Sequence, residues 1–129
     1  MKRKCLFLVI ALVLVFGSVS VVSAYSSAAT VSAARTSNTS ARVSADIRYT
    51  TTVDTCTNKM TLQEKYNGSW RTATGVSVKT VSRTKSNVST LNFPYTFTLV
   101  KGKVYRIKAV FTSKKGSSSV SRTCYSSVF

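Results

Sequence analysis

The chain has 129 residues and a formal net charge of +16, because 19 Lys and Arg stand against three Asp and Glu. It contains no histidine, which excludes imidazole-based catalytic triads and dyads and removes the most common transition-metal ligand. Nothing brings Asp46, Asp54 and Glu64 together as a paired-carboxylate hydrolase or a dedicated Ca²⁺ site would require, so we expect no cofactor and no enzyme activity.

Residues 1–24 have the organisation of a secretory signal peptide. Three basic residues precede an apolar run from Cys5 to Phe16, and Val22-Ser23-Ala24 fits a small-residue cleavage site. The apolar run is shorter than the roughly 20 residues that span a bilayer. We therefore expect a signal-peptide helix, export, and no stable membrane span after cleavage. An uncleaved signal anchor and a later cleavage site stay open as alternatives.

Cleavage would leave 105 residues with a formal charge of +13, the size of one small domain. Two cysteines remain, Cys56 and Cys124. An even count in an exported chain predicts a disulfide between them. Closing so long a loop would contribute roughly 4 kcal/mol. Two separate thiols and intermolecular pairing are the alternatives.

The first part of this domain changes character near residue 41. The stretch 25–40, YSSAATVSAARTSNTS, is rich in Ser, Thr and Ala and is predicted to be a flexible leader or a weak edge strand. From Ala41 apolar residues recur at every second position, as in a half-buried strand. TTVDTCT is expected to be a loop. KMTLQEKY and WRTAT flank Asn67-Gly68, the strongest short hairpin signal.

The second part alternates even more regularly. LNFPYTFTLV places its aromatic residues on one face, and Pro94 predicts an edge position because proline has no backbone donor. In KGKVYRIKAVF the apolar residues from Tyr105 to Phe111 alternate with Arg106 and Lys108. A Lys-Lys-Gly turn then leads to a last strand, VSRTCYSSV.

No helical period appears after residue 24, and turn signals recur at short intervals. This pattern predicts an all-β fold, an antiparallel β-sandwich of about seven strands over residues 41–129. Its main core residues are expected to be Trp70, Phe93, Tyr95, Phe97, Tyr105, Ile107 and Phe111.

Two segments resemble known domains. FPYTFTLVKGKVYRIKAVFTSKKGSSS is similar to the E-strand, F-strand and FG-loop portion of fibronectin type III-like and bacterial Ig-like domains, with Tyr105 at the family's structural tyrosine. LQEKYNGSWRTAT resembles their C–C′ hairpin. As a whole, residues 41–129 resemble small secreted β-sandwich proteins of Gram-positive bacteria, grouped as a domain of unknown function. The resemblance implies a fold and a secreted location, and no activity.

In such a sandwich, strands C, C′, F and G share one sheet whose outward face would be basic. Few aromatics are expected on that face, so base stacking is not indicated. We expect it to contact an anionic cell-wall polymer or another extracellular polyanion rather than a small-molecule substrate. The candidate polyanion-binding residues are Lys59, Lys65, Arg106, Lys108, Arg122, Lys114 and Lys115.

Two other functions are compatible with the same sequence. The chain could be a structural or protein-binding secreted module whose charge serves solubility only. It could also be a cationic defence protein that acts on membranes, although no amphipathic helix is visible. The sequence does not decide the oligomeric state.

Overall fold

The structure, a computed structural model, describes the backbone of residues 2–15 and 18–129 and the side chains of residues 27–129. Within these ranges the chain forms strands and turns and no helix, so the predicted all-β class is confirmed. No helix there is long and apolar enough to cross a membrane. The strands are β1 (Lys2–Val15), β2 (Ser18–Ser37), β3 (Ser40–Tyr66), β4 (Ser69–Thr72), β5 (Thr80–Thr98), β6 (Tyr105–Lys115) and β7 (Ser118–Tyr125).

These seven described strands belong to one antiparallel sheet of order β1-β2-β3-β6-β7, with β4 and β5 on the other edge of β3. The 27-residue β3 is central. Its first half pairs with β2 and its second half with β6, while β5 runs along most of the opposite edge. Hydrogen bonds thus link all the strands into one sheet, whereas the predicted sandwich has two.

The sheet curls because β3 and β5 bend at the same level. Their register shifts between Arg48 and Val53, and nearby Asn87 has a φ of 55°. A bulge and a left-handed residue both turn a strand. Inside the curl, Asn58 Nδ2 donates to the carbonyl oxygen of Ala45 at 2.6 Å, so the second half of β3 faces its own first half. The expected TTVDTCT loop is therefore part of this bent strand.

The concave side of the curled sheet holds the apolar core. Odd-numbered residues are buried on the first half of β3 and even-numbered residues on the second, which follows from the register shift. Five predicted core residues are buried: Phe93, Phe97, Tyr105, Ile107 and Phe111. Tyr95 is half-buried and meets Phe93 and Phe97 edge-to-face, at centroid distances of 6.5 and 4.8 Å.

Trp70 was predicted in the core, and this placement is wrong. Asn67 and Gly68 have φ of 50° and 81°, and two positive φ values are the mark of a tight hairpin turn. The predicted hairpin is therefore confirmed, and its turn places Trp70 opposite Lys65. Directly opposed residues share one face of a sheet. Trp70 consequently lies on the outer face, half-buried.

The N-terminal predictions have different outcomes. The signal peptide predicted for residues 1–24 falls where no side chains are described, and it stays a prediction. The backbone of Lys2–Val15 is extended and pairs with β2 instead of forming the predicted helix. Short apolar runs do not distinguish the two conformations by pattern. The Ser- and Ala-rich stretch is a strand, because β2 extends to Ser37 and its Val31 is fully buried.

Strand β5 includes most of the LNFPYTFTLV segment and also the polar residues 80–90 that precede it. Among the described strands it pairs with β3 alone, so its other edge is open. Pro94 lies on this strand, and its predicted edge position is confirmed. An edge strand tolerates a residue that cannot donate a backbone hydrogen bond.

The predicted Cys56–Cys124 disulfide is wrong, because Cys56 is a free, buried thiol. Cys56 lies opposite Ser113 of β6, and Cys124 lies opposite Ala109. One strand and four residues therefore separate the two cysteines, beyond the roughly 7 Å between Cα atoms that a disulfide tolerates. Burial raises the pKa of the Cys56 thiol, and a hydrogen bond with the Tyr49 hydroxyl at 3.4 Å opposes this rise.

Candidate functional site

A basic face covers the convex side of the second half of the sheet. We define the basic face by five outward cations: Lys59 and Lys65 of β3, and Arg106, Lys108 and Lys114 of β6. They alternate with buried residues such as Met60 and Ile107 and so point away from the core. Thr61 lies opposite Lys108 in the register. The two cationic columns are therefore neighbours, about 4.8 Å apart.

None of the chain's three carboxylates lies on the basic face. Glu64 points inward. Asp46 lies on the first half of β3, where the Asn92 amide donates to it. Asp54 accepts a hydrogen bond from the backbone amide of Gly116 at 2.7 Å, beside the β6–β7 turn. The cations of the basic face therefore have no acidic neighbour there, and their fields add.

Arg106 lies between two aromatic rings on this face. Its guanidinium carbon is 4.6 Å from the ring centre of Trp70 and 4.1 Å from that of Tyr125. Its Nε donates to Gln63 Oε1 at 2.8 Å. Such contacts hold a guanidinium in place without neutralising it. The expectation that few aromatics lie here was wrong, because it assigned Trp70 to the core.

Hydroxyl groups occupy many of the positions between these cations. They form cross-strand pairs at 2.9 Å (Thr57–Thr84), 3.3 Å (Thr61–Thr80) and 3.5 Å (Thr112–Ser121). A hydroxyl can both donate and accept. The basic face therefore offers hydrogen bonds to a ligand in addition to positive charge.

Arg122 was predicted on the basic face but is buried, with 7% of its surface exposed. It lies opposite the buried Phe111 and so shares that residue's inward side. Its Nη1 donates to Ser27 Oγ at 3.1 Å. Burial lowers the pKa of the guanidinium to about 10, although Tyr49 acts in the opposite direction. Alternation along β7 does not reveal whether its odd- or its even-numbered side chains point inward. The register of β7 with β6 determines this.

The two lysines at the end of β6 lie on different sides. Lys114 is exposed on the basic face. Lys115 is exposed on the other side, and its Nζ donates to Thr51 Oγ1 at 2.8 Å. Of the seven predicted polyanion-binding residues, five thus lie together, and Arg122 and Lys115 lie elsewhere.

Glu64 is a buried acid with a full set of donors, and it is 1% exposed. Arg71 Nε and Nη2 donate to Oε2 at 2.9 and 2.7 Å, Lys103 Nζ donates to Oε1 at 3.0 Å, and the Thr74 amide donates at 2.7 Å. Desolvation raises the pKa of this carboxyl, but the hydrogen bonds from Thr74, Arg71 and Lys103 outweigh it and lower the pKa to about 2. The ionised group joins β3, β4 and two loops.

Beside Glu64 an open cleft of about 510 Å³ separates the β3–β4 turn from the loop before β6. We define this end cleft by Lys65, Tyr66, Arg71, Lys103 and Val104. The sequence does not predict this cleft. One signal was present, since the Asn67-Gly68 turn places Arg71 opposite Glu64. The approach of Lys103 is a long-range loop contact, which has no periodic signature.

Among residues 27–129, no three His, Cys, Asp or Glu side chains come together closely enough to hold a metal ion. No protein-family model matches the chain, and no curated protein or solved structure matches it.

Proposed function

We propose that the protein is an exported, non-catalytic β-module that attaches through its basic face to anionic cell-surface or extracellular polymers. The observation that supports this most is the grouping of Lys59, Lys65, Arg106, Lys108 and Lys114 on one face without a carboxylate. A face charged only for solubility usually mixes both signs.

The same proposal covers the export of the protein and the type of fold to which its sheet is related. Residues 1–24 act as the signal peptide, and the curled sheet is a variant of the Ig-like or fibronectin type III-like sandwich of small secreted Gram-positive proteins. In this variant β3 and β5 continue through both layers. The support is the hydrogen bond from Asn58 to the Ala45 carbonyl oxygen, which joins the two halves of β3 across the curl.

The mechanism of attachment is the release of counterions from the polymer. If all five cations contact phosphates of duplex DNA, the affinity should fall roughly 10⁴-fold between about 50 and 500 mM salt. The experiment measures retention of the purified protein on isolated cell walls, polyphosphate resin and DNA-cellulose at both concentrations. Equal retention at the two salt concentrations would refute the proposal.

A matched pair of triple variants localises the contact. The first replaces Lys59, Lys108 and Lys114 with Ser. The second makes the same change at Arg42, Arg48 and Lys101, three exposed cations off the basic face. Both variants lose three charges, so only a specific role of the basic face predicts that the first binds more weakly. Equal loss in both would show that net charge alone is responsible.

A second candidate function is protein binding through the open edge of β5. Within the described ranges this 19-residue strand pairs on one side only. Open edges recruit extended partner segments. Pro94, Arg83 and Lys85 lie on the same strand, and such residues usually protect an edge from pairing. We therefore rank this function below polyanion attachment.

A further inference from the structure

The end cleft exposes apolar surface that the basic face does not explain. Tyr66 is 52% exposed and Val104 is 43% exposed, and both line this one cleft. A hydrogen bond from the Lys65 amide to the Val104 carbonyl at 3.0 Å joins its two walls. Exposed apolar side chains that converge in one concavity are a common feature of ligand sites.

The cleft also carries positive charge in a fixed arrangement. Arg71 and Lys103 stand against the single carboxylate of Glu64, which leaves a formal charge of +1, and Lys65 adds a further cation at the border with the basic face. Glu64 holds Arg71 through Nε and Nη2 and holds Lys103 through Nζ. Among residues 27–129, Nη1 of Arg71 has no hydrogen-bond partner. A guanidinium fixed on one side and open on the other is prepared to bind an anion.

The third feature is the ring of Tyr66. The Arg71 guanidinium carbon lies 3.6 Å from its centre and covers one side, while half of the residue's surface is exposed. The cleft thus combines an aromatic ring with a cation that is stacked on one of its two faces. The C–H side of a sugar ring packs on such a surface by dispersion and hydrophobic burial. A carboxylate on that sugar would reach the cation.

We propose that the end cleft binds one sugar unit of an anionic polysaccharide while the rest of the polymer lies on the basic face. Lys65 lines the cleft and carries its ammonium group on the basic face, so one polymer chain can occupy both surfaces. The inference rests on the proposed function and narrows its ligand to a polymer of charged sugars. Tyr66 and Val104 contact the ring, and Arg71 and Lys103 bind its acidic group.

A single-stranded nucleic acid fits this arrangement less well. Such ligands stack successive bases on successive aromatic side chains. On the basic face, however, the rings of Trp70 and Tyr125 are both packed on Arg106. Among residues 27–129, Tyr66 is then the one strongly exposed ring beside these cations, enough for one sugar unit but not for a series of bases.

The test uses the full-length protein and three soluble probes at about 50 mM salt: polygalacturonate, inorganic polyphosphate and oligo(dT). Tyr66→Ala should weaken polygalacturonate binding about five- to tenfold and leave polyphosphate binding within about twofold. Val104→Ser should weaken polygalacturonate binding about two- to threefold. Val78→Ser, which removes an equally exposed valine outside the cleft, should change nothing. Thermal melting of each variant shows whether the fold is retained.

The outcomes separate the two proposals. If Tyr66→Ala leaves polygalacturonate binding unchanged while binding stays salt-dependent, the inference is overturned and the proposed function survives. A loss for oligo(dT) as large as that for polygalacturonate would overturn the sugar ligand in favour of nucleic acid. If no probe binds in a salt-dependent manner, the proposed function fails and the inference fails with it.

Discussion

Arg71 donates two hydrogen bonds to one carboxylate oxygen of Glu64, at 2.9 and 2.7 Å, and Glu64 is 1% exposed. Removing one partner of such a pair leaves the other charge poorly solvated. We expect Glu64→Gln to lower the free energy of unfolding by about 2–3 kcal/mol, less than for a fully buried pair because Arg71 and Lys103 are partly exposed. Urea denaturation measures this change.

Asp46→Asn is the matched control for that variant. Asp46 accepts hydrogen bonds from Ser44 and Asn92 near the surface, and an amide oxygen can still accept them. Its effect should stay below about 1 kcal/mol. Equal effects of the two substitutions would contradict the role given to Glu64.

Glu64 also sets how stability responds to acid. Its pKa is about 2 in the folded protein against an ordinary value of 4.5, so the folded state binds the proton more weakly than the unfolded state. The stabilisation is complete above about pH 4.5 and is lost as the pH falls towards 2. Allowing for solvent screening of its partners, we expect a loss of about 1–2 kcal/mol. Between pH 5 and 2.5, the free energy of unfolding should depend less on pH in Glu64→Gln than in the unsubstituted protein. An equal pH dependence of the two proteins would disprove this.

Trp70, the single tryptophan of the chain, reports directly on the basic face. It lies beside Lys65 and Arg106, so iodide should quench its fluorescence in the native protein more strongly than caesium does. The difference should shrink at about 500 mM salt, since exposed charges are screened. A tryptophan that neither ion quenches would lie in the core, contrary to the structure.

The Cys56 thiol should not react appreciably with alkylating reagents until the protein unfolds. Its side chain is buried and its thiol pKa is raised, so little thiolate forms near neutral pH. We expect alkylation to be at least about 100-fold slower in the native protein than in denaturant. Mass spectrometry of the peptide that contains Cys56 measures the rate. Rapid native labelling would place this thiol at the surface.

The sequence predicts this fold best where periodicity and turn chemistry act locally. Alternation along β6 identifies the inward Ile107 and the outward Lys108, and Asn67-Gly68 identifies its hairpin. The outer position of Trp70 is also predictable from the sequence, since a two-residue turn places this residue opposite Lys65. The prediction that Trp70 lies in the core did not take this register into account.

Other features depend on contacts between distant segments. The inward position of Arg122 follows from its pairing with Phe111, which no local pattern in β7 specifies. The length of β3 was missed because strands usually have about 3–10 residues. Its Ser- and Thr-rich middle, with Asp54, has the composition of a loop, yet β5 and β6 supply its hydrogen bonds.

The continuity of β3 determines the order in which parts of the molecule unfold. Its first half pairs with β2 and its second half with β6, and β5 spans both. Neither half of the curled sheet has a central strand of its own, so neither half can detach and remain folded. Opening must therefore begin at peripheral elements such as β4, and loss of β3 is global unfolding. The amide protons of β3 then exchange with solvent only when the whole domain does.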